Sequence, residues 1–227
     1  MKKCVQLWVV VILLLIGSVA KSQSEVSAGY VNSGNKVLKG MGRSIRGHGV
    51  NVGYMYEYDF FTGFSLKGGG YYSYVRSGEK TTISDVNFDS KLQEHFVTLS
   101  FNANYKYDFS TDYVLFAYAG PRLVACFSSK WQLSANSSLY PDMNGEATLN
   151  QDQGSDLFSW YFGGTEAMPS WRFEDAQLGF GVGVELFERL VVKAGLDFGL
   201  LNRYSDSSST NVMRRNQFYL NIGYRFD

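Results

Sequence analysis

The stretch QLGFGVGVEL, residues 177–186, sets glycine at 179, 181 and 183, with a large apolar residue at every place between. A phosphate-cradling loop needs its glycines in a G-x-G-x-x-G turn that joins a strand to a helix. Here the spacing is strictly two, the period at which strand side chains return to the same face. Leu178, Phe180, Val182, Val184 and Leu186 share one face, while Gly179, Gly181, Gly183 and Glu185 share the other. The stretch reads as a β-strand with one apolar side and one side of small residues and an acid.

The same period recurs along the chain. In HFVTLSFNANYKY, residues 95–107, Val97, Leu99, Phe101, Ala103, Tyr105 and Tyr107 oppose Phe96, Thr98, Ser100, Asn102, Asn104 and Lys106. In VNVGYMYEY, residues 50–58, valines and tyrosines oppose Asn51, Gly53, Met55 and Glu57. FSLKGGGYYSY (64–74), LVVKAGLDFGLLNR (190–203) and QFYLNIGYRF (217–226) repeat the pattern, with Lys67, then Lys193 and Asp197, then Arg225 on the polar side. VLFAYAGPRLVACF (114–127) is less regular: Arg122 fixes its polar face, and Pro121 removes a ladder donor. SEVSAGYVN (24–32) gives a weaker first strand, with Val26, Ala28 and Tyr30 on one face. The sum is about eight strands, each long enough for the ~9–11 residues that cross a bilayer.

The connections are unequal. Short ones fall near 59–62, 108–112 and 187–190; long polar ones are expected at SGNKVLKGMGRS (33–44), SGEKTTISDVNFDSKLQ (77–93), about 128–173, and SDSSSTNVM (205–213). Short periplasmic turns and long extracellular loops are the habit of outer-membrane barrels. A small repeat supports the register: YEYDFFTG (56–63) returns as YKYDFSTD (105–112). Each copy puts two tyrosines, Tyr56 and Tyr58 or Tyr105 and Tyr107, on the apolar face beside a short turn. That is where an aromatic girdle would lie.

Alternation does not say which face points outward, but composition does. The glycines and the mid-strand charges share one face: Glu57, Lys67, Lys106, Arg122, Glu185, Lys193, Asp197 and Arg225. A Lys or Arg on the lipid face at the midplane costs about 2–4 kcal/mol, so the uncharged face is the lipid face. Eight strands leave an interior just wide enough for side chains, and its charges must pair or meet water. The expectation is a plugged, salt-bridged lumen. The acids on these strands fall short of the bases, so water or strand-end carboxylates are expected to help.

The N-terminus sets the compartment. MKKC is basic, VQLWVVVILLLIGSVA is apolar, and Ala20 and Ser22 are small, which together make a secretory signal peptide over residues 1–22. The expected barrel domain is 23–227. Cys4 leaves with the signal and Cys126 stands alone, so no internal disulfide forms. Lys+Arg and Asp+Glu balance at 21 each, and no basic stripe is interleaved with aromatics, so no nucleic-acid partner is expected. No second apolar run reaches the ~18–20 residues of a spanning helix.

These segments resemble the small eight-stranded outer-membrane barrels of the OmpX/Ail and OmpA transmembrane type, and the PorT-like outer-membrane β-barrel domain. The resemblance rests on VSAGYVNS, on GVNVGYMYEYDFFTGFSLKGGGYYSY, and on QLGFGVGVELFERLVVKAGLDFGLLNRYSD with NQFYLNIGYRF. It implies an all-β, eight-stranded antiparallel up-and-down barrel in the outer membrane of a Gram-negative bacterium, inserted among outer-membrane lipid. It also implies that Tyr224 and Phe226 supply the aromatic ending read by the barrel-assembly machinery, although Asp227 follows here.

Function does not follow from a barrel. The expected role is structural, or one of surface interaction through loops with an unknown ligand or envelope protein. The alternatives are a secretion or envelope-biogenesis accessory, a small-solute channel, and an outer-leaflet lipid-modifying enzyme. His48 and His95 fall on the outward parity, as does the active histidine of lipid A deacylase-type barrels. That pattern wants Ser two residues on, where Val50 and Val97 stand. No metal motif, cofactor motif or catalytic residue is expected. The segment 128–173 carries Trp131, Tyr140, Phe158, Trp160, Tyr161, Phe162 and Trp171. It reads either as a binding element or as a protruding extension of the wall.

Overall fold

The computed structural model describes residues 22–39, 45–83, 86–136, 145–150, 174–202 and 212–226. Residues 1–21 of the signal peptide expected over 1–22 lie outside them, with Ser22 opening the first strand; Tyr140 and the aromatic run from 158 to 171 also lie outside. Nine strands are described: β1 Ser22–Lys39, β2 Ile45–Phe61, β3 Phe64–Ile83, β4 Val86–Ser110, β5 Tyr113–Asn136, β6 Gly145–Asn150, β7 Glu174–Leu186, β8 Leu190–Gly199 and β9 Val212–Phe226. All their pairings are antiparallel. Eight strands close a ring in the order β1-β2-β3-β4-β5-β7-β8-β9, and β9 returns to β1 from Ser24↔Phe226 to Lys39↔Val212. Closure removes the open edges that no bilayer would tolerate.

The short connections are those read from the sequence. Thr62 and Gly63 join β2 to β3, Thr111 and Asp112 join β4 to β5, and Phe187 to Arg189 join β7 to β8. Gly63 takes φ +81°, the left-handed conformation that glycine reaches without strain.

The long connections differ from expectation. The polar run 77–93 is not a loop: β3 continues to Ile83, β4 begins at Val86, and they stay paired up to Ile83↔Val86. β1 runs to Lys39, β9 starts at Val212, and β5 runs to Asn136 rather than ending near 128. The ninth strand, β6, lies outside the ring and pairs with β5 from Lys130↔Asn150 to Ala135↔Gly145. At the loop end, therefore, a sheet of β3, β4, β5 and β6 rises above the barrel.

A change of polarity marks where the sheet leaves the membrane. Below His95, β4 turns Val97, Leu99, Phe101, Tyr105 and Tyr107 outward, each exposed, and buries Thr98, Ser100, Asn102 and Asn104. Above it the faces trade character. Asn87, Asp89, Lys91 and Gln93 point outward, and Val86, Phe88, Leu92 and Phe96 are buried on the inner side. Burying a side chain such as Phe88 contributes about 1.5–3 kcal/mol. The inner face of the raised sheet is thus apolar and buried where the inner face of the barrel below is polar. β5 makes the same exchange through a register shift: Cys126 pairs with Phe96 and Ser128 with His95, which leaves Phe127 as an extra residue between them. One extra residue reverses the parity of everything beyond it.

A salt-bridged lumen and an aromatic collar

All eight charged residues marked by the sequence face the lumen. They lie in layers contributed by alternate strands, as inward side chains of closed barrels do. Nearest the short turns, Glu57 of β2, Lys106 of β4, Glu185 of β7 and Arg225 of β9 form a four-cornered ring of alternating sign. Lys106 Nζ lies 2.8 Å from Glu57 Oε1 and 3.9 Å from Glu185 Oε1. Arg225 Nη2 donates to Glu57 Oε2 at 2.8 Å and forks with Nη1 onto the Glu185 carboxylate. Asn104 Nδ2 donates to Glu57 at 3.2 Å, and Ser65 Oγ donates to the same carboxylate. Asp59, a strand-end carboxylate, lies 3.3 Å from Lys106.

The next layer was only half visible in the sequence. Lys67 of β3 and Lys193 of β8 both reach Glu25 of β1, each at 2.5 Å. Lys193 also donates to the Tyr71 hydroxyl at 2.8 Å. Glu25 was missing from the expected network, and it corrects the shortage of acids: the partner lies within the wall itself. The parity rule finds it, because Val26, Ala28 and Tyr30 face outward and Glu25 falls on the opposite parity.

Above this, Arg122 of β5 donates to Asp197 of β8 at 2.9 Å and to the Tyr219 hydroxyl at 2.5 Å. Tyr118 meets Tyr219 at 2.7 Å. Here the glycines of QLGFGVGVEL find their purpose. Gly179, Gly181 and Gly183 lie against Arg122, Tyr118 and Phe116 respectively, and a Cβ at any of the three would overlap those side chains. Tyr118↔Gly181 and Phe116↔Gly183 are direct cross-strand partners, so each ring of β5 covers the glycine opposite. At the mouth, Arg215 of β9 pairs with Glu94 of β4 at 2.5 Å and lies over the Phe96 ring. Three strands separate β9 from β4 either way around the ring, so this pair is a strut across the lumen.

The void enclosed by Met55, Lys67, Tyr71, Tyr118, Lys193 and Tyr219 is about 10 Å³, space for a single water. Pure protein in a planar bilayer should therefore show no stable openings; sustained ohmic steps of nanosiemens size would contradict a plugged lumen.

The exterior carries two aromatic levels. Beside the short turns, Tyr56, Tyr105 and Tyr107 are exposed and Tyr58 is half-buried, with Phe64 against Tyr105 at 4.9 Å and Tyr58 against Phe60 at 4.7 Å between centroids. Tyr224 and Phe226 also face outward, and Arg189 donates to the Tyr224 hydroxyl at 2.9 Å. The collar at the loop end contains both histidines. His48 Nδ1 contacts the Tyr30 hydroxyl and lies 3.1 Å from Asn32 Nδ2. His95 Nδ1 lies 2.8 Å from the Tyr72 hydroxyl, among Tyr74 and Phe127. The structure brings Ser128 directly opposite His95, a neighbour across two strands rather than along one. On β4, Asp89 lies far up the raised sheet, Asp108 lies at the short turn and Glu94 is buried against Arg215, and the described hydrogen-bond partner of the His95 ring is the Tyr72 hydroxyl.

No protein-family model matches the chain, and no curated protein does. Among solved structures it is similar to Ail, the attachment invasion locus protein of Yersinia pestis, in complex with the heparin analogue sucrose octasulfate. That match has 15% identity over 91% of this chain and 99% of that one, with a TM-score of 0.47. It is also similar to Neisserial surface protein A (14% identity, 89% and 97% covered, TM-score 0.41) and to the outer membrane enzyme PagL (11%, 90% and 99%, 0.42). These likenesses concern fold alone. The wall of this chain is closed, apolar toward lipid and charged within, which is the construction of an integral outer-membrane β-barrel protein. Its place is the bacterial outer membrane.

Proposed function

We propose that the barrel is a rigid, non-enzymatic mount for a surface-binding element, and that the element is the raised sheet of β3 to β6. The observation that supports this is the sheet itself. Strand pairing continues past the aromatic collar to Ile83↔Val86 and Asn87↔Asn136, and β6 widens it beyond the ring. Membrane crossing needs only ~9–11 residues per strand, whereas β4 has 25 and β5 has 24. The excess is ordered pairing that the bilayer does not require. Its occupant is a surface ligand or an envelope protein. On this reading outer-membrane lipid surrounds the wall, and the barrel-assembly machinery recognises β9 with its outward Tyr224 and Phe226.

The test removes residues 137–150, the connection and β6, and joins Asn136 to Gln151. The ring does not use β6, so heat-modifiable gel mobility should persist. Capture of partners by cross-linking on intact cells should be lost. Unchanged capture would move the binding element elsewhere, and capture of periplasmic components alone would favour an envelope-biogenesis accessory.

A further inference from the structure

With β6 set aside, every pairing in the ring joins neighbours along the chain except that of β1 with β9, which joins its two ends. A contact between distant segments must first overcome the entropy of closing the chain between them, so it forms late. The β1–β9 pairing is therefore the seam at which the wall closes. Below the mouth, most ion pairs of the lumen reach over one intervening strand. They divide by whether that reach crosses the seam.

If the wall is parted at the seam, most of these bases keep a carboxylate. Lys67 of β3 keeps Glu25 of β1, and Lys106 of β4 keeps Glu57 of β2. Arg225 of β9 keeps Glu185 of β7, and Arg122 of β5 keeps Asp197 of β8. Lys193 of β8 keeps nothing. Both polar groups described beside its Nζ lie beyond the seam: Glu25 of β1 at 2.5 Å and the Tyr71 hydroxyl of β3 at 2.8 Å. Lys193 is 5% exposed in the closed wall, so closure both desolvates this ammonium and supplies the partners that compensate. The last two residues of β9 add a second stitch at the seam. Arg225 donates inward over β1 to Glu57 at 2.8 Å, and Phe226 meets Tyr54 of β2 outward over the same strand, with centroids 6.5 Å apart.

We infer that Glu25 and Lys193 are a closure latch, engaged only when β9 zips onto β1 after the rest of the sheet has assembled. Glu25 is its keystone, because one carboxylate holds Lys67 on its own side of the seam and Lys193 across it. An interaction made after the transition state slows unfolding without hastening folding. The latch thus makes the closed wall persistent, since parting β1 from β9 strands Lys193. Arg122 with Asp197 is the internal standard. That pair is also buried and also reaches over one strand, β7, but it lies wholly within the sheet and forms before closure. The latch is a property of the wall and does not depend on the surface-binding role.

The experiment refolds the whole barrel from urea into phosphatidylcholine vesicles. Growth of the fast-migrating gel band gives the folding rate, and its decay after return to urea gives the unfolding rate. Two double-mutant cycles are compared: Glu25→Gln with Lys193→Met at the seam, and Asp197→Asn with Arg122→Met within the sheet. Coupling in the seam cycle should reach roughly tenfold or more in the unfolding rate and stay under about twofold in the folding rate. The control cycle should carry a large share of its coupling in the folding rate. The same division between the two rates in both cycles would overturn the latch, and so would a seam cycle without coupling. If Glu25→Gln does not refold, Lys193→Met decides. It leaves Glu25 on Lys67, so it should fold at the unaltered rate and open faster. Slower folding, or an unchanged rate of opening, would overturn the latch.

Discussion

Glu57→Gln should destabilise the barrel by about 3–5 kcal/mol, the usual cost of breaking a buried ion pair from one side. The substitution keeps the shape and removes one charge from the most connected position in the lumen. Glu57 is 1% exposed and serves three cations, Lys106 and Arg225 at 2.8 Å and Lys67 at 3.4 Å. An amide there presents an NH2 group to at least one of them. Lys67 keeps Glu25 and Arg225 keeps Glu185, whereas Lys106 retains only Asp59 at 3.3 Å and Glu185 at 3.9 Å. Adding Lys106→Met should therefore recover part of the loss. The Lys91–Asp89 pair is the control: it spans 3.5 Å but is exposed, so Asp89→Asn should cost under about 1 kcal/mol. Urea titration of refolded protein, read by tryptophan emission, gives all three values. Similar midpoints for Glu57→Gln and Asp89→Asn would mean that the lumen is wetter than its geometry implies.

Glu25 shows what the sequence did and did not make legible. Within the bilayer one physical rule governs every strand, with apolar residues toward lipid and small or charged residues inward. Period two therefore fixed the lumen faces of β2, β7, β8 and β9 and all eight charges assigned to them or to their neighbours. Glu25 obeys the same rule, but its strand has only three clear outward residues, and the weak signal hid the acid. Beyond the collar the rule itself changes. Water accepts a polar outer face, and apolar residues are buried on the inner one, so Asn87, Asp89, Lys91 and Gln93 read as loop although they are strand. Val86, Phe88 and Leu92 carried the signal for that extension: apolar residues two or four apart within the polar run, on the parity opposite to that of Val97 and Leu99. Arg215 escaped for a related reason. It lies between a serine-rich run and the regular end of β9, and its partner Glu94 belongs to the strand most distant around the ring. The Phe127 shift has no sequence signature, because one residue either way leaves composition unchanged and alters only parity.

The assignment of faces makes its own strong prediction at Val182. It is the middle residue of the outward series Leu178, Phe180, Val182, Val184 and Leu186 on β7, and it is 62% exposed. Its cross-strand neighbours are Ala117 on β5 and Ala194 on β8, both outward and uncharged. An arginine there has no anion beside it, and the apolar belt extends along the strand in both directions. Val182→Arg should cost about 2–4 kcal/mol in a bilayer. Glu174→Arg, on the same strand at the loop end and already exposed, should cost about 0–1 kcal/mol. Refolding both variants into phosphatidylcholine vesicles and titrating with guanidinium gives the two costs from the loss of the fast-migrating band. If the apolar face lined the interior instead, Val182→Arg would put its charge in a greasy core. That variant would then fail to fold in micelles and vesicles alike. A penalty at Val182 that shrinks in thinner bilayers, with none at Glu174, is the signature of lipid against the wall, because a thinner apolar slab shortens the path from residue 182 to water.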